Sequence, residues 1–325
     1  MTERKLPCYP LFVKDPNFSL WSNDEYLNKN YPQTWFGERK NICGFVDVDG
    51  QKYCFMGRTD DFTPYGVKPA EQVNLQVTAF TTEYKFVAGK ATLAIKFVSP
   101  LPPDDMELMS LPVCYMEYEL SGAEGEVSVF VGGNVAYNDI PQTQDKRVVG
   151  DSFALDGYEA AVIGLRRQLP LSNNNDAYGA DWGYFYLSGQ HAYVADGASL
   201  ADYLKCNNRN ITCQTEEKYI ASFNTAASGV VMLGYDETVA INYFGKYLQG
   251  YYLQEHSIFD ALKYVQANYS AIDKKLAAFD ERLRADVAAK CDGFADEYYN
   301  VLVASLRQSV AAHKLVRDGD DVLFL

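Results

Sequence analysis

The chain has 325 residues, which suggests about two domains, and its 48% hydrophobic and 22% charged residues are an ordinary globular balance. The formal net charge of −14 repels phosphate backbones, so nucleic acid is excluded as a partner. Neither a signal-peptide region nor an apolar stretch of about 18 residues occurs, so we expect a cytoplasmic protein that does not enter a membrane.

Residues 1–245 show the alternation of apolar and polar side chains that is typical of short antiparallel strands. A hairpin is predicted at 42–57, where Asp49-Gly50 is a strong turn signal, and another at 84–100 around Gly89. A strand at 73–80 is expected to place Val73 and Leu75 on one face. Further strands are predicted at 113–120, 126–133, 183–189, 191–195, 219–224 and 229–235.

This succession of strands and turns predicts one antiparallel β-sandwich domain over 1–245. Within it, residues 1–60 form an N-terminal strap and hairpin. Because the domain is large for a single sandwich, long loops are expected at 99–112 and 166–182.

From residue 246 onward the pattern becomes helical. Apolar residues fall three or four apart between 262 and 283, which predicts an amphipathic helix with one wet face. A second helix, 294–315, is apolar or small nearly all round, as is typical of a helix buried on most sides. Since "DVLFL" (321–325) is also apolar, we expect 246–325 to be the first hairpin of a truncated helical domain, with exposed apolar surface through which the chain self-associates.

Signatures of known catalytic and metal sites are absent from the sequence. The three histidines are far apart, and the seven cysteines are scattered without a CxxC pair, so they are interpreted as reduced thiols. We therefore expect neither a metal nor a cofactor, and the residue types alone assign no catalytic nucleophile or base.

Two polar, aromatic segments are candidate binding loops. The segment 15–37 carries Trp21, Asn23 and Trp35, which either converge on a ligand or anchor the segment by packing. The segment 173–187 carries an asparagine run followed by Asp181 and Trp182. It is either a functional loop on a rigid scaffold or a turn whose side chains cap their own backbone.

Arg307-Gln308, inside the second helix, is the third candidate. A buried arginine needs a partner, so we predict that Arg307 is mostly buried and paired with a carboxylate, either of the protein or of a substrate.

Several motifs together resemble the glutaminase A family of large bacterial and fungal hydrolases, over about residues 10–325. They are "DPNFSLWSND" followed by "TWFG", "CGFVDVDGQKYCFMG", "DWGYFYL", "LGYDETVAINYFGK" and "SLRQSVAAHKLV". The resemblance implies a supersandwich-like β assembly followed by an (α/α) toroid, and hydrolysis of the side-chain amide of L-glutamine. Many relatives carry a secretion signal, whereas none is expected for this chain.

The leading hypothesis is the N-terminal portion of a glutaminase A-like hydrolase, inactive by itself, whose substrate is a small molecule. The substrate-binding candidates on the matched motifs are Trp21, Asn23, Trp35, Asp181, Trp182, Arg307 and Gln308. In this hypothesis Arg307 holds the α-carboxylate of glutamine and Asp181 its ammonium group. The alternatives are a glycoside hydrolase on the same architecture and a non-catalytic carbohydrate-binding module.

Overall fold

The computed structural model describes residues 6–141, 143, 145–172, 179–206 and 218–325. In this part the chain is mainly β, with a helical part near its C-terminal end. In chain order the strands are β1 (Tyr9–Asp15), β2 (Phe18–Ser22), β3 (Gln33–Thr34), β4 (Ile42–Val48), β5 (Gln51–Met56), β6 (Lys68–Pro69), β7 (Glu71–Val77), β8 (Thr81–Ala88), β9 (Ala91–Val98), β10 (Val113–Ser121), β11 (Gly125–Gly132), β12 (Val148–Leu155), β13 (Tyr158–Leu165), β14 (Tyr184–Gly189), β15 (His191–Asp196), β16 (Lys218–Asn224), β17 (Ser228–Asp236), β18 (Ile241–Tyr243), β19 (Lys246–Leu248), β20 (Leu315–Asp318) and β21 (Asp321–Phe324). The α-helices are α1 (Met106–Ser110), α2 (Gly197–Cys206), α3 (Ile258–Lys290) and α4 (Ala295–Ala311).

Two large sheets form the predicted sandwich. One has eight strands in the order β12-β13-β14-β17-β10-β9-β8-β7, and the other has six in the order β15-β16-β11-β4-β5-β6. All pairings in both sheets are antiparallel except β5 with the short β6. The inward side chains of both sheets, among them Phe55, Phe86 and Ile220, form one continuous core. The antiparallel sandwich is therefore confirmed.

The outer faces of the two sheets are covered by different helices. α3 lies on the eight-stranded sheet, where Leu262 and Val265 pack with Tyr115 and Met232, and α4 packs against α3 and β1. α2 lies over the six-stranded sheet, where Tyr203 packs with residues of that sheet. None of the helices in the described segments is long and apolar enough to cross a membrane. Helices therefore cover part of the outer face of each large sheet.

The turn signals correctly located the two predicted hairpins. Asp49 and Gly50 both adopt positive φ, at 54° and 80°, between β4 and β5. This is the backbone that a two-residue hairpin turn requires, and it is the reason why Asp-Gly is favoured there. Gly89, at φ 63°, occupies the corresponding turn between β8 and β9. Both hairpins therefore turn where the sequence predicted, although the register of β4 against β5 shifts between Gly44 and Phe45.

The prediction for Val73 was wrong. The register of β7 against β8 shifts between Gln72 and Asn74, so Val73 lies at an irregularity of the strand and is half exposed. Leu75, beyond the shift, packs against the core. A bulge inserts one extra residue and changes which side chains face inward, and simple alternation does not anticipate it.

The N-terminal strap is a buried hairpin. β1 and β2 pair with each other, and every residue of both strands is buried. Lys14 within β1 donates from Nζ to the carbonyl oxygens of Pro100 (2.6 Å) and Leu108 (3.0 Å), which fastens the predicted 99–112 loop. Burial lowers the pKa of Lys14 to about 7.

The two long helices begin and end close to their predicted positions, but the second is less buried than predicted. α3 starts with a capping box in which Ser257 and Asp260 exchange hydrogen bonds. α4 buries Tyr299, Val303 and Arg307 and leaves its other side in solvent. The segment "DVLFL" is strand β21, paired with β20, and not part of a helix. Within this chain α4 therefore has one wet face.

Candidate functional site

The loop candidates in segment 15–37 do not converge on one ligand site. Trp21 is buried in the core beneath the helices. Asn23 is exposed, and its amide donates to Gln33 Oε1 at 3.2 Å. Trp35 is about half exposed, and its indole N–H donates to the carbonyl oxygen of Pro16 at 3.0 Å. The packing interpretation therefore fits Trp21, and Trp35 is the one tryptophan whose face reaches solvent.

Asp181 and Trp182 are buried and make structural hydrogen bonds. Asp181 accepts from the backbone N–H and side-chain amide of Asn138, at 2.6 and 2.8 Å, and from the Thr143 hydroxyl at 2.6 Å. Trp182 is fully buried and donates to the carbonyl oxygen of Val239 at 3.0 Å. A carboxylate with these donors is not free to bind a substrate ammonium group. The asparagine run at 173–176 lies outside the described residues.

The two candidate loops meet, but they leave little space between them. Residues from both segments, including Phe36 and Gly179, line a cavity of about 20 Å³. That volume is enough for about one water molecule. The meeting point therefore joins the N-terminal segment to the sandwich and is not a substrate pocket.

Arg307 is fully buried, as predicted, but no carboxylate of the described residues pairs with it. Its Nη2 donates to the carbonyl oxygens of Thr78 (3.2 Å) and Thr81 (2.9 Å) and to the Thr82 hydroxyl (3.0 Å). Its Nε and Nη1 have no hydrogen-bond partner among the described residues. Burial lowers the pKa of the guanidinium to about 9. Gln308, the next residue, faces solvent.

An open cleft of about 1130 Å³ lies between the β7–β9 edge of the eight-stranded sheet and helices α3 and α4. Ionisable groups from both sides line it. On α3, Asp273, Asp280 and Arg284 are seven and four residues apart, which places them on one face of the helix. Residues Glu83, Lys96 and Tyr299 complete the polar lining. Sequence reasoning missed this site because its members lie on four separate elements.

At one side of the cleft a single lysine contacts two carboxyl groups. Glu117 and Lys96 are cross-strand partners, and their side chains form an ion pair of 2.9 Å. Lys96 also contacts Asp273, which accepts from the Tyr115 hydroxyl at 2.7 Å. Burial and the nearby Asp273 carboxyl group raise the pKa of Glu117 to about 8. Burial also pushes the pKa of Asp273 upward, but its neighbours, including the hydrogen-bonding groups of Lys96 and Tyr115, outweigh burial and lower that pKa.

Glu117 and Asp273 have pKa shifts in opposite directions, as is typical of two carboxyl groups that share one partly buried site. A glycosidase needs its two carboxyl groups about 5 Å apart or more, with the sugar between them. Here the ammonium group of Lys96 contacts both carboxyl groups, so it occupies the position that a sugar would need.

A second cluster closes the cleft at the helix pair. Asp280 accepts from the backbone N–H of Ala79 at 2.9 Å, from the Tyr299 hydroxyl at 2.5 Å and from Arg284 Nε at 3.0 Å. These bonds join α3 to α4 and to the β7–β8 turn. Because Asp280 is buried and its bonds are charge-assisted, this cluster fixes the position of the helices on the sheet.

A third cluster links the N-terminal hairpin to the C-terminal one. Lys314 Nζ lies 2.6 Å from Asp15 Oδ2 and 2.5 Å from Glu237 Oε2, and both carboxylates are buried. Burial raises the pKa of Glu237 to about 7, although Lys314 opposes that change. One lysine therefore forms ion pairs with two carboxylates that are 299 and 77 positions away in sequence. No local pattern in the sequence signals such a cluster.

Comparison with known proteins places the chain in a family. A family model described as "Domain of unknown function (DUF5127)" matches residues 81–286. The chain belongs to this family. A second model, "Domain of unknown function (DUF4964)", matches residues 2–63.

A curated relative carries a functional name. The chain is 24% identical over 357 residues to a protein named Glutaminase A from Aspergillus oryzae (strain ATCC 42149 / RIB 40). The match covers 97% of this chain and 49% of the relative. The chain therefore spans about half the length of the curated relative it matches. The similarity supports a relationship to glutaminase A-like or related hydrolases, as the resemblance implied.

Proposed function

We propose that the chain is the sandwich-bearing portion of a glutaminase A-like hydrolase, which converts L-glutamine to L-glutamate and ammonia. The observation that carries the proposal is the similarity to Glutaminase A over 97% of this chain. A relationship that runs from the first hairpin to the last one involves both the sandwich and the helix pair, and it is not a match to a single motif.

In this proposal the chain supplies a rigid scaffold, and another part of the enzyme supplies most of the reacting groups. Asp181, Trp182 and Trp21 are buried and already make structural contacts, so they are unsuited to substrate binding. Asp280 fastens the helices, and Lys314 fastens the C-terminal hairpin, through buried, charge-assisted bonds. A catalytic site needs supporting groups that hold their positions without rearranging during the reaction. The chain alone should therefore release little or no ammonia.

The glycoside hydrolase remains the second candidate, because the same architecture would serve it. The pair Glu117 and Asp273 does not support it, since the ammonium group of Lys96 contacts both carboxyl groups where a sugar would have to lie. The carbohydrate-binding module is less well supported than the sequence suggested. Trp21 and Trp182 are buried, so the stacking surface expected from the tryptophans does not form.

The experiment is a chimera in which residues 1–325 replace the matched half of the A. oryzae protein. Ammonia release from L-glutamine and reducing-sugar release from a panel of saccharides are measured on the same preparation. The proposal expects ammonia and no sugar. A chimera that is monodisperse and folded by circular dichroism, but releases sugar and no ammonia, would favour the glycosidase.

A further inference from the structure

The guanidinium group of Arg307 uses only part of its hydrogen-bonding capacity. Its Nη2 donates to the carbonyl oxygens of Thr78 and Thr81 and to the Thr82 hydroxyl. Nε and Nη1, which carry the other N–H donors of the planar fork, are buried and have no hydrogen-bond partner among the described residues. A buried donor without a partner is costly, and a bound ion is one physical explanation of such a group in a folded protein.

The positive charge of Arg307 is also uncompensated. Burial lowers the pKa of the guanidinium only to about 9, so the group stays charged at neutral pH. Asp280 approaches the same turn, where it accepts from the backbone N–H of Ala79, but it is already paired with Arg284 at 3.0 Å. A buried cation without an anion is destabilising, so an anion that binds there gains both charge attraction and hydrogen bonds.

A second buried donor lies on the same face of strand β8. Thr82, which accepts from Arg307, and Tyr84 are two positions apart in β8, so their side chains project from the same face. The Tyr84 hydroxyl is buried and has no hydrogen-bond partner among the residues that the structure describes. Burial raises the pKa of Tyr84, and the Arg307 guanidinium opposes that change, so the two groups are close enough to interact. The hydroxyl therefore stays protonated and can donate.

We propose that Arg307 and Tyr84 bind a chloride ion. Nε and Nη1 of Arg307 and the Tyr84 hydroxyl donate to the ion, and its single negative charge matches the charge of the guanidinium. Neither residue lines the open cleft between the sheet and the helices, so a small ion fits better than an organic anion. The ion joins α4 to β8 and thereby holds the helix on the sheet. This inference goes beyond the proposed function and does not depend on it.

Urea unfolding of this chain tests the site when sodium chloride replaces sodium gluconate at constant ionic strength. A ligand that binds only the folded state stabilises it in proportion to the logarithm of the ligand concentration. The equilibrium constant for unfolding should therefore fall about tenfold for each tenfold rise in chloride above the dissociation constant. Gluconate is the control anion because it is too bulky for a buried site. Equal stability of the wild type in the two salts would overturn the proposal.

Three variants show whether the chloride effect arises at this site. Arg307→Met should abolish the dependence on chloride, and Tyr84→Phe should weaken the apparent affinity about tenfold, because one hydrogen bond to the ion is lost. Arg282→Met is the matched control, since it removes an arginine of α3 whose side chain is 62% exposed, and it should respond to chloride as the wild type does. A chloride dependence that survives in Arg307→Met would contradict the assignment to Arg307.

A second measurement uses the wild type and so does not require any variant to fold. Crystals grown in sodium bromide are examined by anomalous diffraction, because bromide replaces chloride and can be distinguished from water. A bromide peak within hydrogen-bond distance of Arg307 Nε or Nη1 supports the proposal. A water molecule in that position, with bromide only on the protein surface, would overturn it. Neither measurement uses turnover, so an inactive chimera would contradict the proposed function and leave these results standing.

Discussion

Replacing Lys314 with Met should separate the C-terminal hairpin from the rest of the molecule. The ammonium group lies 2.6 Å from Asp15 and 2.5 Å from Glu237, and the lysine side chain is only 17% exposed. Met fills a similar volume but leaves two buried carboxylates without their cation. The damage therefore comes from the remaining charges and not from a cavity.

The expected loss of stability depends on the interactions that each carboxylate keeps after the lysine is removed. Removing one partner of a buried ion pair costs about 3–5 kcal/mol. Asp15 keeps two backbone N–H donors, from Asn17 and Phe18, on its other oxygen. The pKa of Glu237 is already raised to about 7 by burial, so without the lysine it takes up a proton near neutral pH. We therefore expect a loss of about 3–5 kcal/mol at pH 8 and about half of that at pH 6.

Urea unfolding followed by tryptophan fluorescence, at pH 6 and pH 8, measures these losses. The matched control is Lys246→Met, which removes an ion pair of 2.6 Å whose lysine is 63% exposed. That substitution should cost no more than about 1 kcal/mol, because exposed pairs contribute little. Equal midpoints for the two variants at pH 8 would refute the reasoning about the buried cluster.

Three further predictions use the same unfolding assay. Arg307→Met should change the free energy of unfolding by less than about 2 kcal/mol, because the substitution leaves no carboxylate unpaired. A loss above about 4 kcal/mol would contradict this and indicate a carboxylate partner of Arg307. Because burial raises the pKa of Glu237 from 4.5 to about 7, the stability linked to its proton is complete below pH 4.5 and is lost as the pH rises through 7. The wild type should therefore lose more stability than Glu237→Gln between pH 5 and pH 8, and parallel pH profiles would contradict this. Trp182→Ala should lower the free energy of unfolding by about 3–5 kcal/mol, and Trp35→Ala by less than about 1 kcal/mol. Similar losses for the two variants would contradict the conclusion that Trp182 is buried and Trp35 is half exposed.

The sandwich could be predicted because its signals are local. Alternation and turn residues identify a strand pair such as β4–β5 from a few neighbouring positions, and Asp49-Gly50 specifies the turn between them. The same reasoning failed at Val73, where a bulge shifts the register without a signal in composition. It also missed β12 and β13, whose alternation is weak, and interpreted the buried strands β1 and β2 as a strap.

The polar clusters could not be predicted, because they are made by distant parts of the chain. Arg307 was correctly expected inside, but its partners are carbonyl groups of the β7–β8 turn, about 230 residues earlier. Asp273 and Glu117 share the contact with Lys96 only because α3 packs on β10. Composition shows that buried charges need partners, and only the fold determines which partners they meet.

The most direct test of the central claim is the rate of ammonia release from L-glutamine by the chimera of residues 1–325 with the unmatched half of the A. oryzae protein. The chain alone and the unmatched half alone are assayed beside it, with the intact A. oryzae protein as the positive control. The account predicts that the chimera releases ammonia and that neither part does so by itself. A folded chimera that releases no ammonia, or a chain of 325 residues that turns over L-glutamine unaided, would contradict it.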